Sequence, residues 1–315
     1  MKVYWDLDEL PETPIEPMAT MGNLDGVHRG HQIILSTLRQ EAERVGAETL
    51  VITFEPHTRR VIRPNEPFRT LMTTREKLRR LYELRVDHVL VLPFAEGYAE
   101  MDAREFIDEV IWEGVRVRTL FVGPDAMFGK DRQGDVRLLQ SEGRRLGFHV
   151  GVIDPLMVAG RRVSSSLIRQ ALGNGHLDSV NRMLGRDHVI GGTVLRGFRR
   201  GRELGFPTAN IADEGTVLPP NGVYAGWAIT EDEQRYATML NIGERPTFDG
   251  RNLSIEAHLF DFEGDLYGKE LRVALRAYLR PEVKFEGPEH LKIQLRKDAV
   301  EARKALGVKK GGGKA

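Results

Sequence analysis

The fold is constrained most by a change of rhythm near residue 186. Before it, short apolar runs alternate with amphipathic stretches: 18–22, then 31–45, then 49–54, a helix-like segment over 74–84, an apolar run at 89–93, a helix over 102–112 and the run 119–123. Another unit follows at 136–146 and 150–153, and 164–172 reads as a helix that opens on a serine cap and stops at Gly173-Asn174-Gly175. This alternation predicts a parallel sheet with crossover helices. After Arg186 come Gly-punctuated, β-type stretches at 189–194, 222–229, 235–242, 254–260 and 271–277, with no helix-length periodic segment between them. Regularly spaced short strands of this kind predict a small antiparallel β-barrel. Residues 289–306 then read as one closing amphipathic α-helix, with Leu291, Leu295, Ala299 and Ala302 near helical spacing. The expected organisation is an α/β domain over 1–185, a barrel domain over 186–308 and a disordered Gly/Lys tail over 309–315.

Composition agrees with two domains, because 315 residues are too many for one comfortable core. The 46 Lys+Arg match the 46 Asp+Glu, which argues against holding a nucleic-acid backbone by bulk electrostatics. Any phosphate must therefore sit in a local pocket. The absence of cysteine removes disulfides, thiol nucleophiles and thiolate metal sites, leaving His and carboxylates as ligands. No apolar run approaches the roughly eighteen residues of a membrane span, and residues 1–17 carry Asp6, Asp8, Glu9, Glu12 and Glu16. The expectation is a cytoplasmic chain without a signal peptide.

Residues 18–31, Met-Ala-Thr-Met-Gly-Asn-Leu-Asp-Gly-Val-His-Arg-Gly-His, read as a strand running through a Gly-rich turn into a helix. A phosphate belongs at that junction, where backbone N–H groups face the ligand and the helix dipole favours negative charge. His28 and His31 flank Gly30, so two imidazoles can approach one anion while the glycine lets the backbone close in. A lone His there would only cap or pack; a strand-linked H-x-G-H pair points to chemistry. Residues 22–31 resemble the H-x-G-H signature of the nucleotidyltransferase superfamily, and within it the bacterial FAD synthetases. The resemblance extends through 54–57 (Phe-Glu-Pro-His), 123–129 with Gly134-Asp135, and 164–169 (Ser-Ser-Ser-Leu-Ile-Arg). It implies a Rossmann-like domain in which the His pair stabilises charge on the ATP α-phosphate while the FMN phosphate attacks and pyrophosphate leaves. A phosphate nucleophile is already anionic, so positioning and electrostatics suffice. The implied ATP contacts are Gly22, Asn23, Asp25, His28, His31, Asp125, Phe128, Ser164, Ser165, Ser166 and Arg169, with His57 toward the flavin. The plainer readings are an N-cap for the three serines, a turn-forming Asp125 and an exposed loop His57. Leu24 stands where the family has Phe, Thr58 replaces the second proline of P-H-P, Ala126 replaces a common Phe and Ser166 replaces Thr. None removes a group the chemistry requires, but two lost aromatics imply weaker or rearranged flavin stacking.

Residues 192–210 are the densest motif, with glycines at 192, 197, 201 and 205 among Arg196, Arg199, Arg200 and Arg202. That mixture suggests a backbone able to close on phosphates within a cationic rim. Pro207-Thr-Ala-Asn210 then places a hydroxyl and an amide oxygen two residues apart on one side of an extended segment, hard ligands suited to Mg²⁺. The segment resembles riboflavin kinases, whose G-x-V-x-x-G-x-x-x-G-R-x-L-G-x-P-T-A-N pattern is present without a gap, and the likeness continues to residue 306. It implies a six-stranded barrel, an ATP site at Gly192, Gly197, Gly201, Arg202, Gly205, Thr208 and Asn210, and Mg²⁺ on Thr208 and Asn210. It also implies Glu256 as the base for the ribityl hydroxyl, and Arg280 and Phe285 toward the flavin. From the residues alone, Glu256 reads equally as a solvent-facing strand residue, Arg280 and Phe285 as docking for the last helix, and Tyr224 and Tyr267 as core aromatics. The joint expectation is a bifunctional enzyme that makes FMN from riboflavin and ATP, then FAD from FMN and ATP, with Mg²⁺ and with no nucleic-acid, membrane or obligate protein partner. Two alternatives stand beside it: a kinase with a weak or altered first domain, and a non-catalytic flavin or nucleotide sensor.

Overall fold

The computed structural model describes residues 1–196, 201, 204–247 and 250–309; Gly197, Arg199, Arg200, Arg202 and the tail from 310 onward lie outside the described residues. The chain divides into two compact units, Met1–Ser165 and Ser166–Ala315. That division falls twenty residues before the expected change of domain at 185/186.

The first unit runs β1 (Lys2–Tyr4), β2 (Met18–Met21), α1 (Arg29–Val45), β3 (Thr49–Glu55), α2 (Thr58–Ile62), α3 (Thr74–Glu83), β4 (His88–Pro93), α4 (Glu96–Glu100) and α5 (Ala103–Glu105). From α5 the chain continues as a π-helix over Phe106–Gly114, marked by the Val115 N–H reaching back five residues to the Val110 carbonyl. β5 (Thr119–Val122), α6 (Val136–Leu146), β6 (His149–Val152) and a ribbon of β7 (Met157–Val158) and β8 (Arg161–Arg162) complete it. Six strands pair in the order β1-β4-β3-β2-β5-β6, all parallel.

A parallel sheet is covered on both faces, and β3 and β4 show how. Leu50, Ile52, Leu90 and Leu92 point into one apolar cluster with Phe106 and Ile107, while the alternate Val51, Val89 and Val91 point into another with Leu35, Leu38 and Leu81. Strand order reverses at β2, from which the chain builds outward first through β3 and β4 and later through β5 and β6. Open sheets of this type bind ligands beyond the carboxyl ends at the reversal. The turns after the paired strands β2 and β5, residues 22–28 and 123–128, follow the carboxyl ends at that reversal.

The second unit holds the body of α7 (Ser165–Gly173), α8 (Leu177–Leu184), β9 (His188–Leu195), β10 (Ala209–Ile211), β11 (Gly222–Thr230), β12 (Arg235–Thr247), β13 (Gly250–Leu259), β14 (Glu270–Arg280) and α9 (Pro288–Leu306). The strands close as an antiparallel barrel in the order β10-β13-β12-β11-β14-β9. Ala299 and Ala302 of α9 are small enough to seat the helix on Val223, Ala225, Met239 and Phe260. The expected α/β-plus-barrel architecture and closing helix are present. β1, α2 and the β7–β8 ribbon, each five residues or fewer, have no counterpart in the periodicity, which needs longer windows. Among the described residues no helix is long and apolar enough to cross a membrane.

His188 opens β9, is 2% exposed, and its Nε2 finds no hydrogen-bond partner among the described residues. Burial pushes its pKa down to about 4, helped by the Arg186 charge and partly offset by a backbone hydrogen bond at Val217. The unfolded chain therefore takes up more protons between pH 6.5 and 4, so folding stability is intact above this window and falls as pH drops through it. Denaturant unfolding at pH 7 and pH 4.5 will show a loss of up to about 3 kcal/mol from this group, and the loss will be smaller in His188→Leu.

Candidate active sites

In the first unit, β2 ends at Met21, just before Gly22, and His28 caps α1: its Nδ1 accepts the His31 N–H at 3.3 Å. The two imidazoles stack with centroids 3.6 Å apart and planes 17° from parallel, and the His28 ring leaves only tight space for a Cβ at Gly30. With Nδ1 used as an acceptor, the neutral His28 ring carries its proton on Nε2. The loop that presents this pair is fastened at both of its polar residues. Asn23 donates from Nδ2 to Thr58 Oγ1 at 2.9 Å and accepts the Thr58 N–H on Oδ1 at 3.1 Å. Asp25, 3% exposed, accepts the Leu71 N–H on both carboxylate oxygens at 2.9 and 3.0 Å, and its carbonyl accepts from Ser165 Oγ at 2.8 Å. Asp25 is thus a buried brace of the loop. Ser164 precedes α7 and Ser165 opens it, whereas Ser166 and Arg169 belong to the second unit.

Past β5, Asp125 pairs with Arg162 of β8, and Phe128 packs against Phe106 with ring centroids 5.8 Å apart while bridging to Gly134. His57 caps α2 by accepting the Arg59 N–H at 3.2 Å, and its ring lies 4.6 Å from that of Phe68, which Arg59 also covers.

In the barrel, β13 sits between β10 and β12, and the register sets Asn210 and Asn241 on either side of Glu256. The half-buried Glu256 carboxylate accepts from Thr208 Oγ1 at 3.2 Å on one oxygen and from Ser254 Oγ at 2.9 Å on the other. Beside them the His258 Nδ1–H donates to the Pro207 carbonyl at 2.7 Å, the only role open to a ring nitrogen facing an acceptor. Burial lowers the His258 pKa, with that carbonyl opposing. Glu256 and His258 line a cavity of about 320 Å³ with apolar walls from Val223, Met239, Leu291 and Phe285. Ala257 and Leu259 line a second, of about 540 Å³, with Arg196 and Tyr267. Alternate residues face opposite sides of a strand, so the cavities open on opposite faces of β13, and Thr208 borders both.

Gly201 admits a close approach by the Phe206 carbonyl, and Gly192 one by the Ala212 carbonyl between β9 and the start of the segment after β10, while Gly205 turns the chain at φ +81°. Gly192 therefore serves barrel closure. Among the described residues no cluster of three His, Asp or Glu could hold a metal.

Residues 10–167 match the family model for FAD synthetase, and residues 184–306 the one for riboflavin kinase. The bifunctional riboflavin kinase/FMN adenylyltransferase of Escherichia coli K12 is 37% identical over 311 residues, 98% of this chain and 99% of that one. The chain belongs to the bifunctional riboflavin kinase/FMN adenylyltransferase family. The family protein of Pseudomonas fluorescens is 40% identical over 287 residues, 91% of this chain and 92% of that one. A solved structure described as a macrolide-efflux protein from Streptococcus pneumoniae has a TM-score of 0.84 at 27% identity, covering 96% of this chain and 98% of that one.

Within this family the departures acquire structural reasons. Leu24, at φ 48°, is 4% exposed and packs with Val27 and Leu35, so its change is absorbed by core. Thr58 supplies both halves of the Asn23 clamp, and its N–H is a donor that proline lacks. Ala126 packs against the cluster of Phe106 and Leu139. Arg280 grips Asp298 of α9 through two bonds of 2.8 and 2.7 Å, donates to the Pro281 carbonyl, and lies 5.8 Å over Phe285. Arg280 docks α9 through Asp298, and Arg280 and Phe285 both line the smaller cavity. Tyr224 is core, with its hydroxyl on the Pro220 carbonyl, but Tyr267 is 36% exposed with Arg196 5.9 Å over its ring. Asn241 and His258 line the smaller cavity and Ser254 braces Glu256, and the motifs give none of the three a role; strand alternation from Glu256 would have found Ser254 and His258.

Asp298 is 3% exposed, so Asp298→Ala strands a guanidinium at the cavity edge. Urea unfolding will show a loss of about 3 kcal/mol or more, and Arg280→Met combined with Asp298→Leu will lose less than Asp298→Ala alone.

Proposed function

We propose that the barrel unit transfers the γ-phosphoryl of ATP to the 5′-hydroxyl of riboflavin, and that the first unit joins the resulting FMN to AMP, making FAD and pyrophosphate. The observation that carries the first half is the meeting of two cavities at one hydrogen-bonded pair, Thr208 and Glu256. An apolar cavity of about 320 Å³ suits a flat tricyclic ring. The larger one offers a cation and an exposed aromatic face, Arg196 and Tyr267, which suit phosphates and a base.

Glu256 is the group that orients the ribityl hydroxyl toward the γ-phosphorus. Its oxygens are aimed by Ser254 and Thr208, and it takes the hydroxyl proton as the new O–P bond forms and the bond to ADP breaks. In a loose transition state, orientation and late proton removal matter more than prior ionisation. The Thr208 hydroxyl and Asn210 amide oxygen, hard donors beside a carboxylate, fit Mg²⁺ with phosphate oxygens and water as its other ligands. When bound, the ion would neutralise charge building between the β- and γ-phosphates.

For FAD formation the chain supplies the His28–His31 pair at the start of α1, at the reversal of strand order. One FMN phosphate oxygen attacks the ATP α-phosphorus and the bond to pyrophosphate breaks. The Nε2–H of His28 and the N–H groups of the α1 start meet the growing negative charge. Ser164 and Ser165 serve the departing pyrophosphate in this reading.

The test is incubation of the protein with riboflavin, ATP and Mg²⁺, with flavins resolved by chromatography; FMN and FAD both form. Glu256→Gln lowers FMN formation about a hundredfold or more while added FMN is still converted to FAD, and His31→Ala does the reverse. Undiminished riboflavin phosphorylation in Glu256→Gln removes the base from this scheme.

A further inference from the structure

Lys77 lies on α3 among Arg75, Arg79 and Arg80, on a helix whose other long cations reach water, yet it is 5% exposed. A lysine is almost never buried unless something holds its charge. Its Nζ donates to Thr53 Oγ1 at 3.0 Å at the end of β3, and that hydroxyl donates onward to the Asn23 carbonyl at 3.3 Å. Burial lowers the Lys77 pKa, and the carboxylates of Asp25 and Glu55 oppose it. Asn23 and Asp25 are the two polar residues of the turn that leads into His28. The cation is therefore two hydrogen bonds from the main chain of that turn and faces the charge of its buried brace. None of the chemistry described above uses it.

We propose that Lys77 is a positioning residue for adenylyl transfer, fixing the turn at 22–28 through Thr53 and Asn23 and balancing Asp25 so that the turn presents no net negative charge to a polyphosphate. Without the cation, the Asp25 carboxylate remains buried beside a site built for an anion, and the Thr53 hydroxyl is free to turn away from Asn23. Both effects weaken ATP binding more than FMN binding, because the triphosphate carries more charge at that junction. The inference rests on assigning FMN adenylylation to the first unit. Wild-type FAD formation tests that assignment by itself, and only the ratio of variant to wild type bears on Lys77.

The experiment is steady-state FAD formation from FMN and ATP by full-length Lys77→Met, with riboflavin phosphorylation by the same preparation as the internal control. The expected result is a KM for ATP raised about tenfold or more, with KM for FMN within about twofold and phosphorylation unchanged. Adding Asp25→Asn recovers part of the loss, since the pair is again neutral. A KM for ATP within about twofold of wild type in Lys77→Met overturns the proposal, as does an equal rise in both KM values. Should Lys77→Met also lose phosphorylation, Lys77→Arg decides: with the cation kept, KM for ATP must stay within about threefold, and a larger rise overturns the proposal.

Discussion

A β-strand presents successive side chains to opposite faces, and both halves of this protein are organised by what that alternation permits. In the first unit it forces helices onto both faces of the parallel sheet, since Leu50 and Ile52 need one cover and Val51 needs the other. With the faces sealed, polar chemistry is confined to the strand ends, and His28 and His31 stand beyond the carboxyl end of β2. In the barrel the same alternation separates Glu256 and His258 from Ala257 and Leu259, and so divides two cavities with one strand.

How much of this was legible in the sequence depends on the distance over which each feature is encoded. The sheet, the barrel and α9 follow from periodicity over windows of a dozen residues, and the motifs lie within single turns or strands. Features made by pairing across the fold were not legible in this way. Nothing near Lys77 in sequence reveals that Thr53 and Asp25 will enclose it, and nothing near Asp298 reveals that Arg280 of β14 will seize it. Gly192 shows the converse, a motif residue whose glycine is required by the Ala212 carbonyl inside the barrel. Motif spacing by itself does not separate residues that hold the barrel wall from residues expected to face a ligand.

The even balance of charge also looks different at the level of side chains. Arginines and carboxylates pair locally, as in Arg280 with Asp298 and Arg162 with Asp125, so little long-range field remains. In such a molecule, recognition of charged groups depends on short-range fit more than on attraction at a distance.

Among the described residues, β13 divides the two barrel cavities, with Glu256 and His258 on one side of it and Ala257 and Leu259 on the other. Thr208 borders both cavities and holds the Glu256 carboxylate, so a change of its side chain would be felt on both sides of that strand at once.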